Sequence, residues 1–222
     1  MKIYNIKEEE SNNSLFIIKE NFLSCNELKN LKTNLNNIKD WKITKKYNGK
    51  EIKRLQKWYQ MNNLNFGKNW IVKNEQWKSN EYEIFLIELQ DLVQDKMNNF
   101  YKEYEFIENS KFNSILINYY QNGNQGIAPH KDDPETFGLE PTIVLLSIDG
   151  PRTFCIERTK LDSLKRDKEK SFQNKEFILP DNSLMIMGGG SQRNFCHFLK
   201  DEPNIKSPRY SLTFREYLIN KN

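Results

Sequence analysis

Histidine is almost missing from this chain, whose 222 residues contain two, His130 and His197. Any chemistry that needs imidazoles must use this pair. Cysteine is nearly as scarce: Cys25, Cys155 and Cys196 are odd in number, widely spaced and without a Cys-x-x-Cys pair. That argues against a disulfide framework and fits a reduced intracellular protein of the nucleus or cytoplasm. Long apolar runs are missing as well, so no membrane span is expected, and acidic Glu8, Glu9 and Glu10 stand where a secretory leader would need its apolar region. Charge of one sign is not in large excess: a net +4 permits contact with a polyanion without requiring it. What is present is a globular composition, 13% aromatic and 29% charged, on a length that one domain can use.

Along the chain, Leu15 to Ile18 reads as a short buried strand. Ser24 and Glu27 match a capping box, and Leu28, Leu31, Leu35 and Ile38 follow at helical spacing. From Trp41 to Trp77 the pattern is irregular. Tyr47, Trp58, Tyr59, Phe66 and Trp70 are mixed there with Lys45, Lys46, Lys50, Lys53, Arg54, Lys57 and Lys68, so that basic groups could neutralise phosphates while rings stack on bases. The bland alternative is that the rings pack in the core and the lysines are solvated. Tyr47-Asn48-Gly49 has the chemistry of a tight hairpin turn. Phe85, Leu89, Leu92, Val93, Met97 and Phe100 form the apolar stripe of a long helix backing a sheet.

After that helix the period changes to two. Strands are expected at Phe112 to Tyr120, Thr142 to Ile148, Arg152 to Glu157, Glu176 to Leu179, Ser183 to Met187 and Tyr210 to Tyr217, an α+β protein with a sandwich or jelly-roll C-terminal half. Lys160 to Lys175 interrupts them as a charged loop, either merely solvated or in contact with a phosphate backbone.

If Ile127 to Asp132 is extended, His130 and Asp132 share one face, and His197 would complete a set of two histidines and one carboxylate. Such a set holds Fe(II) and leaves positions open for oxygen and a cosubstrate. Arg209-Tyr210-Ser211-Leu212-Thr213-Phe214-Arg215 alternates, with both arginines, Ser211 and Thr213 on one face. Buried, that face asks for an anionic ligand such as a dicarboxylate, to which Asn118 and Tyr120 could add hydrogen bonds; in water, it would be a plain edge strand.

Taken in order, Asn118-Tyr119-Tyr120, His130-Lys131-Asp132, Phe195-Cys196-His197 and Arg209 to Arg215 resemble the AlkB family of iron and 2-oxoglutarate dependent dioxygenases, and most of all its animal DNA-repair members. The resemblance implies a double-stranded β-helix of jelly-roll type, residues 1–222 forming one monomeric domain. About 1–100 would be helices and a nucleotide-recognition lid, and about 101–222 the catalytic core. It implies that His130, Asp132 and His197 ligate Fe(II). Arg209 and Tyr120 would bind the distal carboxylate of 2-oxoglutarate, and Arg215 and Asn118 would lie near its metal-binding end, with Ser211 where close relatives carry Asn.

Tyr47, Asn48 and Gly49 fall near a wedge hairpin, and Arg54, Trp58, Tyr59 and Phe66 where substrate contacts are expected. Pro134 replaces an acidic residue, leaving Asp133 or Glu135 to serve near the substrate. The implied reaction uses O2 to convert 2-oxoglutarate to succinate and carbon dioxide while a base N-methyl is hydroxylated and lost as formaldehyde. The substrate would be alkylated DNA, or RNA, with the base flipped out or single-stranded. Two other readings remain open: the same chemistry on a protein or small molecule, and a nucleic-acid binding module without catalysis on this fold.

Overall fold

The computed structural model describes residues 1–45, 51–67, 77–105, 107, 109–167 and 174–219. In chain order its elements are β1 (Lys2–Ile6), β2 (Ser14–Lys19), α1 (Cys25–Asn37), β3 (Lys42–Lys45), β4 (Glu51–Gln60), α2 (Ile84–Glu103), β5 (Ser114–Tyr120), β6 (Ile127–His130), α3 (Pro134–Phe137), β7 (Ile143–Asp149), β8 (Arg152–Arg158), β9 (Asn174–Leu179), β10 (Ser183–Gly189), α4 (Ser191–Asn194), β11 (Phe195–Leu199) and β12 (Arg209–Arg215).

Local chemistry accounts for the two long helices. Ser24 Oγ accepts the Glu27 N–H while the Glu27 carboxylate accepts the Ser24 N–H at 2.7 Å, so α1 starts on the expected capping box. Leu31 and Leu35 bury its inner face. α2 buries Leu86, Leu89, Val93, Met97 and Tyr101, with Phe85, Leu92 and Phe100 partly covered beside them.

Among the described residues the strands form two antiparallel sheets, one ordered β1-β2-β10-β7-β12-β5-β4-β3 and a smaller one ordered β6-β11-β8-β9. Period-two alternation gives each large-sheet strand two destinations. Ile115 and Ile117, Val144 and Leu146, Leu184 and Ile186, and Tyr210, Leu212 and Phe214 meet α1 and α2 on the outer face. Phe16, Leu145, Met185 and Met187 turn inward, where they pack on Phe154, Phe177, Leu179 and Phe195 of the smaller sheet. This is the expected α+β jelly roll, with helices on the outside and a sandwich core.

The buried strand expected at Leu15 to Ile18 is β2, which pairs with β10; the ten-residue β4, which was not expected, pairs with β5 from Leu55 to Gln60, so both are built into the large sheet. Part of the inward faces of β4, β5 and β12 is polar, carrying Arg54, Gln56, Asn118, Arg209, Ser211, Thr213 and Arg215. That part lines the pocket.

Candidate active site

In the smaller sheet the register of β6 and β11 sets His130 opposite His197, with ring centroids 4.2 Å apart. The pairing shifts just beyond His197, a bulge of the kind that re-aims side chains near sites. Gly126 leads into β6, and a Cβ there would lie 2.4 Å from the Leu199 carbonyl and 2.6 Å from Asp201, so only glycine allows this close approach. β6 ends at His130, so Asp132 lies beyond the strand and is held by a side chain rather than by strand pairing. Its N–H donates to Gln192 Oε1 at 3.1 Å. Ligand-capable atoms of His130, Asp132 and His197 all lie within 4.8 Å of one another.

The protonation states suit a metal. His130 Nδ1 sits 2.9 Å from the Ala128 carbonyl, which can only accept, so Nδ1 carries the proton and Nε2 keeps its lone pair. Burial lowers the pKa of both imidazoles, that of His197 to about 3 with the neighbouring His130 as the next cause, so both are neutral near pH 7. Burial alone would raise the Asp132 carboxyl. The Arg215 guanidinium, donating to it at 2.8 and 3.1 Å, holds it below its ordinary value. Two neutral nitrogens and one carboxylate match the donor set of a non-haem Fe(II) centre.

A polar row crosses the inner face of the large sheet in register: Gln56 opposite Asn118, Asn118 opposite Ser211, and Ser211 opposite Ser147. Beside it Arg209 stands opposite Tyr120, its guanidinium 5.3 Å from the Tyr120 ring and its Nε donating to Ser147 Oγ at 2.9 Å. Arg209 is 1% exposed, and burial brings its pKa down to about 10, which leaves it charged. Arg209, Ser211, Thr213 and Arg215 all face a pocket of about 1130 Å³ that also contains Asn118, Tyr120 and the His–Asp–His group.

Three buried nitrogens around this pocket, His197 Nδ1 from the smaller sheet and Arg209 Nη2 and Arg215 Nη1 from the larger, have no hydrogen-bond partner among the described residues. Buried polar atoms are rarely left so, and their clustering on one pocket fits residues that would hold a cation and an anionic ligand.

The residues expected to touch a substrate separate into groups. Tyr47, Asn48 and Gly49 lie outside the described residues, as do residues 168–173 of the charged loop. Phe66 lines the pocket, stacked on Trp77 at 5.1 Å; Trp77 was no more than the end of an irregular stretch in the sequence. Trp58 and Tyr59 do not line it, and each is 1% exposed. The Trp58 indole donates to the Leu64 carbonyl and packs against Phe66 and Tyr217, while Tyr59 points to the outer face and donates to Glu83. Strand alternation turns Trp58 inward and Tyr59 outward, and for these two rings core packing is the better account.

Asp133 lines the pocket and accepts the Thr136 hydroxyl, whereas exposed Glu135 does not line it. Arg54 faces the pocket, but its Nε donates to Asn118 Oδ1 at 2.8 Å. Sequence reasoning missed the rim. Exposed Leu139 and Leu164 stand on loops tied together through Arg193, which pairs with Asp162 and Glu140. Isolated loop leucines carry no periodic signal by which they could have been found.

Among known proteins, the model of the 2OG-Fe(II) oxygenase superfamily matches residues 16–215 of the chain. DNA oxidative demethylase ALKBH2 of Arabidopsis thaliana is 29% identical over 125 residues, 50% of this chain and 40% of that protein. Alpha-ketoglutarate-dependent dioxygenase alkB homolog 3 of Homo sapiens is 33% identical over 105 residues, 47% of this chain and 36% of that protein. The chain thus matches about two fifths of the length of these relatives. A solved structure of OsALKBH1 superposes with a TM-score of 0.59 at 12% identity, covering 90% of this chain and 97% of that one, a likeness of fold.

Proposed function

The chain belongs to the 2OG-Fe(II) oxygenase superfamily, and to the AlkB family within it, and we propose that it oxidatively removes alkyl groups from N-alkylated bases of DNA, with RNA as a second substrate. The observation that carries this reading is the joining of two features on one pocket: the His130, Asp132 and His197 cluster, and the buried arginines Arg209 and Arg215 with nitrogens left unpaired. Together they fit Fe(II) and 2-oxoglutarate. Held by His130, Asp132 and His197, Fe(II) would activate O2, the oxidant that would convert 2-oxoglutarate to succinate and carbon dioxide and a base N-methyl to N-hydroxymethyl, which would depart as formaldehyde.

The protein's own part is to bind, orient and exclude water. Neutral His130 and His197, with ionised Asp132, would hold the metal. Arg209, beside Tyr120, would pair with one carboxylate of the cosubstrate; Arg215 and Asn118 would meet its other end, with Ser211 and Thr213 filling the wall between. Phe66 and Trp77 offer stacking faces to a base that has left its helix, which a nucleic-acid substrate needs and a small amino acid does not. That the ALKBH2 relatives are DNA oxidative demethylases supports the same substrate class.

The test is formaldehyde release from N-methylated single-stranded DNA, double-stranded DNA and RNA. We expect release from at least one of them that depends on both Fe(II) and 2-oxoglutarate. Cosubstrate turnover without formaldehyde from any nucleic acid would move the substrate to a protein or small molecule. Oligonucleotide binding with no turnover would leave a binding module.

A further inference from the structure

We infer that Arg54 is a positioning residue that fixes which end of the Asn118 amide faces the cosubstrate, so that Asn118 presents its NH2 group to an acceptor oxygen of bound 2-oxoglutarate. The inference rests on the reading of this pocket as a 2-oxoglutarate site. It gives Arg54 a task other than the substrate contact expected from the sequence.

The argument is one of donors and acceptors. The oxygen and nitrogen ends of an amide have nearly the same shape and are told apart by their partners. A guanidinium has only donors. Arg54 Nε lies 2.8 Å from the Asn118 amide, so the atom it meets must be Oδ1. Gln56, directly opposite Asn118 in the sheet, meets the same oxygen at 2.7 Å and must therefore donate through Nε2. Its own Oε1 is then left buried with no partner among the described residues.

Reversing both amides would keep the bond between them, the Asn118 NH2 then donating to Gln56 Oε1. It would, however, set that NH2 against Arg54 Nε, two donors face to face. Arg54 thus decides the sense of both amides, and Gln56 follows. Arg54 is itself anchored, its Nη1 donating at 3.3 Å to the carbonyl of Gly126, the residue that leads into the strand of His130. Asn118 is 3% exposed and lines the pocket. Every oxygen of 2-oxoglutarate is an acceptor near neutral pH, so an NH2 turned toward it attracts where an amide oxygen would repel.

The test measures cosubstrate binding without turnover. 2-Oxoglutarate is titrated calorimetrically, without oxygen, into Mn(II)-loaded protein as parent, Arg54→Met, Asn118→Ala and the double variant. Arg54→Met and Asn118→Ala should each weaken binding by about three- to tenfold, the worth of one hydrogen bond. The double variant should be no weaker than Asn118→Ala alone. In Zn(II)-loaded protein the Asn118 side-chain NH2 resonances should shift on adding 2-oxoglutarate in the parent and stay in place in Arg54→Met. Should Arg54→Met misfold, Arg54→Gln, whose amide fits either sense without charge, is expected to give the same cycle.

If Arg54→Met weakens binding by the same factor in the Asn118→Ala background, Arg54 acts on the ligand directly as a cation and the inference is overturned. It is overturned as well if Arg54→Met binds like the parent. A parent that binds no 2-oxoglutarate fails the reading of the pocket itself, an outcome separate from both.

Discussion

Asp132→Ala should both destabilise the protein and abolish its response to metal. In the parent the Asp132 carboxylate takes two hydrogen bonds from Arg215, at 2.8 and 3.1 Å, and both side chains are 5% exposed. Removing the carboxylate strands a guanidinium whose Nη1 already lacks a partner among the described residues. Breaking a buried pair from one side costs about 3–5 kcal/mol, because the remaining charge has neither water nor counter-ion. For a chain of this length each kcal/mol moves the melting temperature by about 2–4 °C, so the metal-free variant should melt about 6–20 °C below the parent. The second half of the prediction concerns ligand linkage. Mn(II) at about 100 times its dissociation constant should stabilise the parent by about 2.7 kcal/mol, a further rise of about 5–11 °C. The variant should show none of it. Differential scanning calorimetry in chelator and then in excess Mn(II) measures both. An equal metal-dependent rise in the two proteins would refute the ligand assignment, and equal metal-free melting temperatures would refute the buried-pair argument.

Acid should destabilise the metal-free protein before its carboxylates titrate. Unfolded histidine takes up a proton near pH 6.5, whereas folded His197 holds out to about 3, so between those values the unfolded chain binds more protons and stability falls with pH. For His197 the slope reaches about 1.4 kcal/mol per pH unit, readable as a lower urea midpoint at pH 5.5 than at 7.5; equal midpoints would mean that the imidazole is not buried as described. Trp58→Ala should cost about 3–5 kcal/mol of stability yet leave oligonucleotide affinity of the folded protein unchanged at low temperature, since the indole is in the core. Phe66→Ala should instead weaken binding of a methylated oligonucleotide by about 5- to 150-fold through the loss of about 1–3 kcal/mol of stacking. Equal loss of affinity in the two variants would put Trp58 back at the substrate.

The two long helices and most strands were readable because one physical cause dominated each, whereas the single-turn α3 and α4 carry no such signal. α1 announces itself through the Ser24 and Glu27 capping box and leucines at helical spacing. β7 and β10 are apolar on both faces because one face meets the helices and the other the smaller sheet. β4 was not readable for the opposite reason. Its inward positions carry Arg54 and Gln56 toward the pocket and only Trp58 into the core, so charged and polar residues stand where an apolar face would have marked a strand. The site erased the signal of the element that bears it. β11 hid differently: Phe195 to Leu199 is too short and too close to the glycines at 188–190 for its alternation to separate from the turn before it.

The same distinction governs the site. His130, Asp132, His197, Arg209 and Arg215 could be named in advance because their chemistry is costly to bury without a ligand and scarce elsewhere in the chain; two histidines leave few combinations. Arg54, Gln56 and Trp77 could not be sorted, because a basic or aromatic residue in an irregular stretch has many uses and only the sheet register chooses among them. Trp58 and Tyr59 show how sharp that choice is. They are consecutive on β4, yet one indole closes the end of the sandwich while its neighbour's phenol faces α2 on the outside, and neither reaches the pocket that Phe66, a few residues later, lines. In this stretch composition favours a nucleic-acid surface for every ring, but a strand presents only alternate residues to one face. Position in the fold, not aromatic content, therefore decides which side chain can meet a base: Trp58 shares its face of β4 with Arg54 and Gln56 but lies further along the strand, in the core.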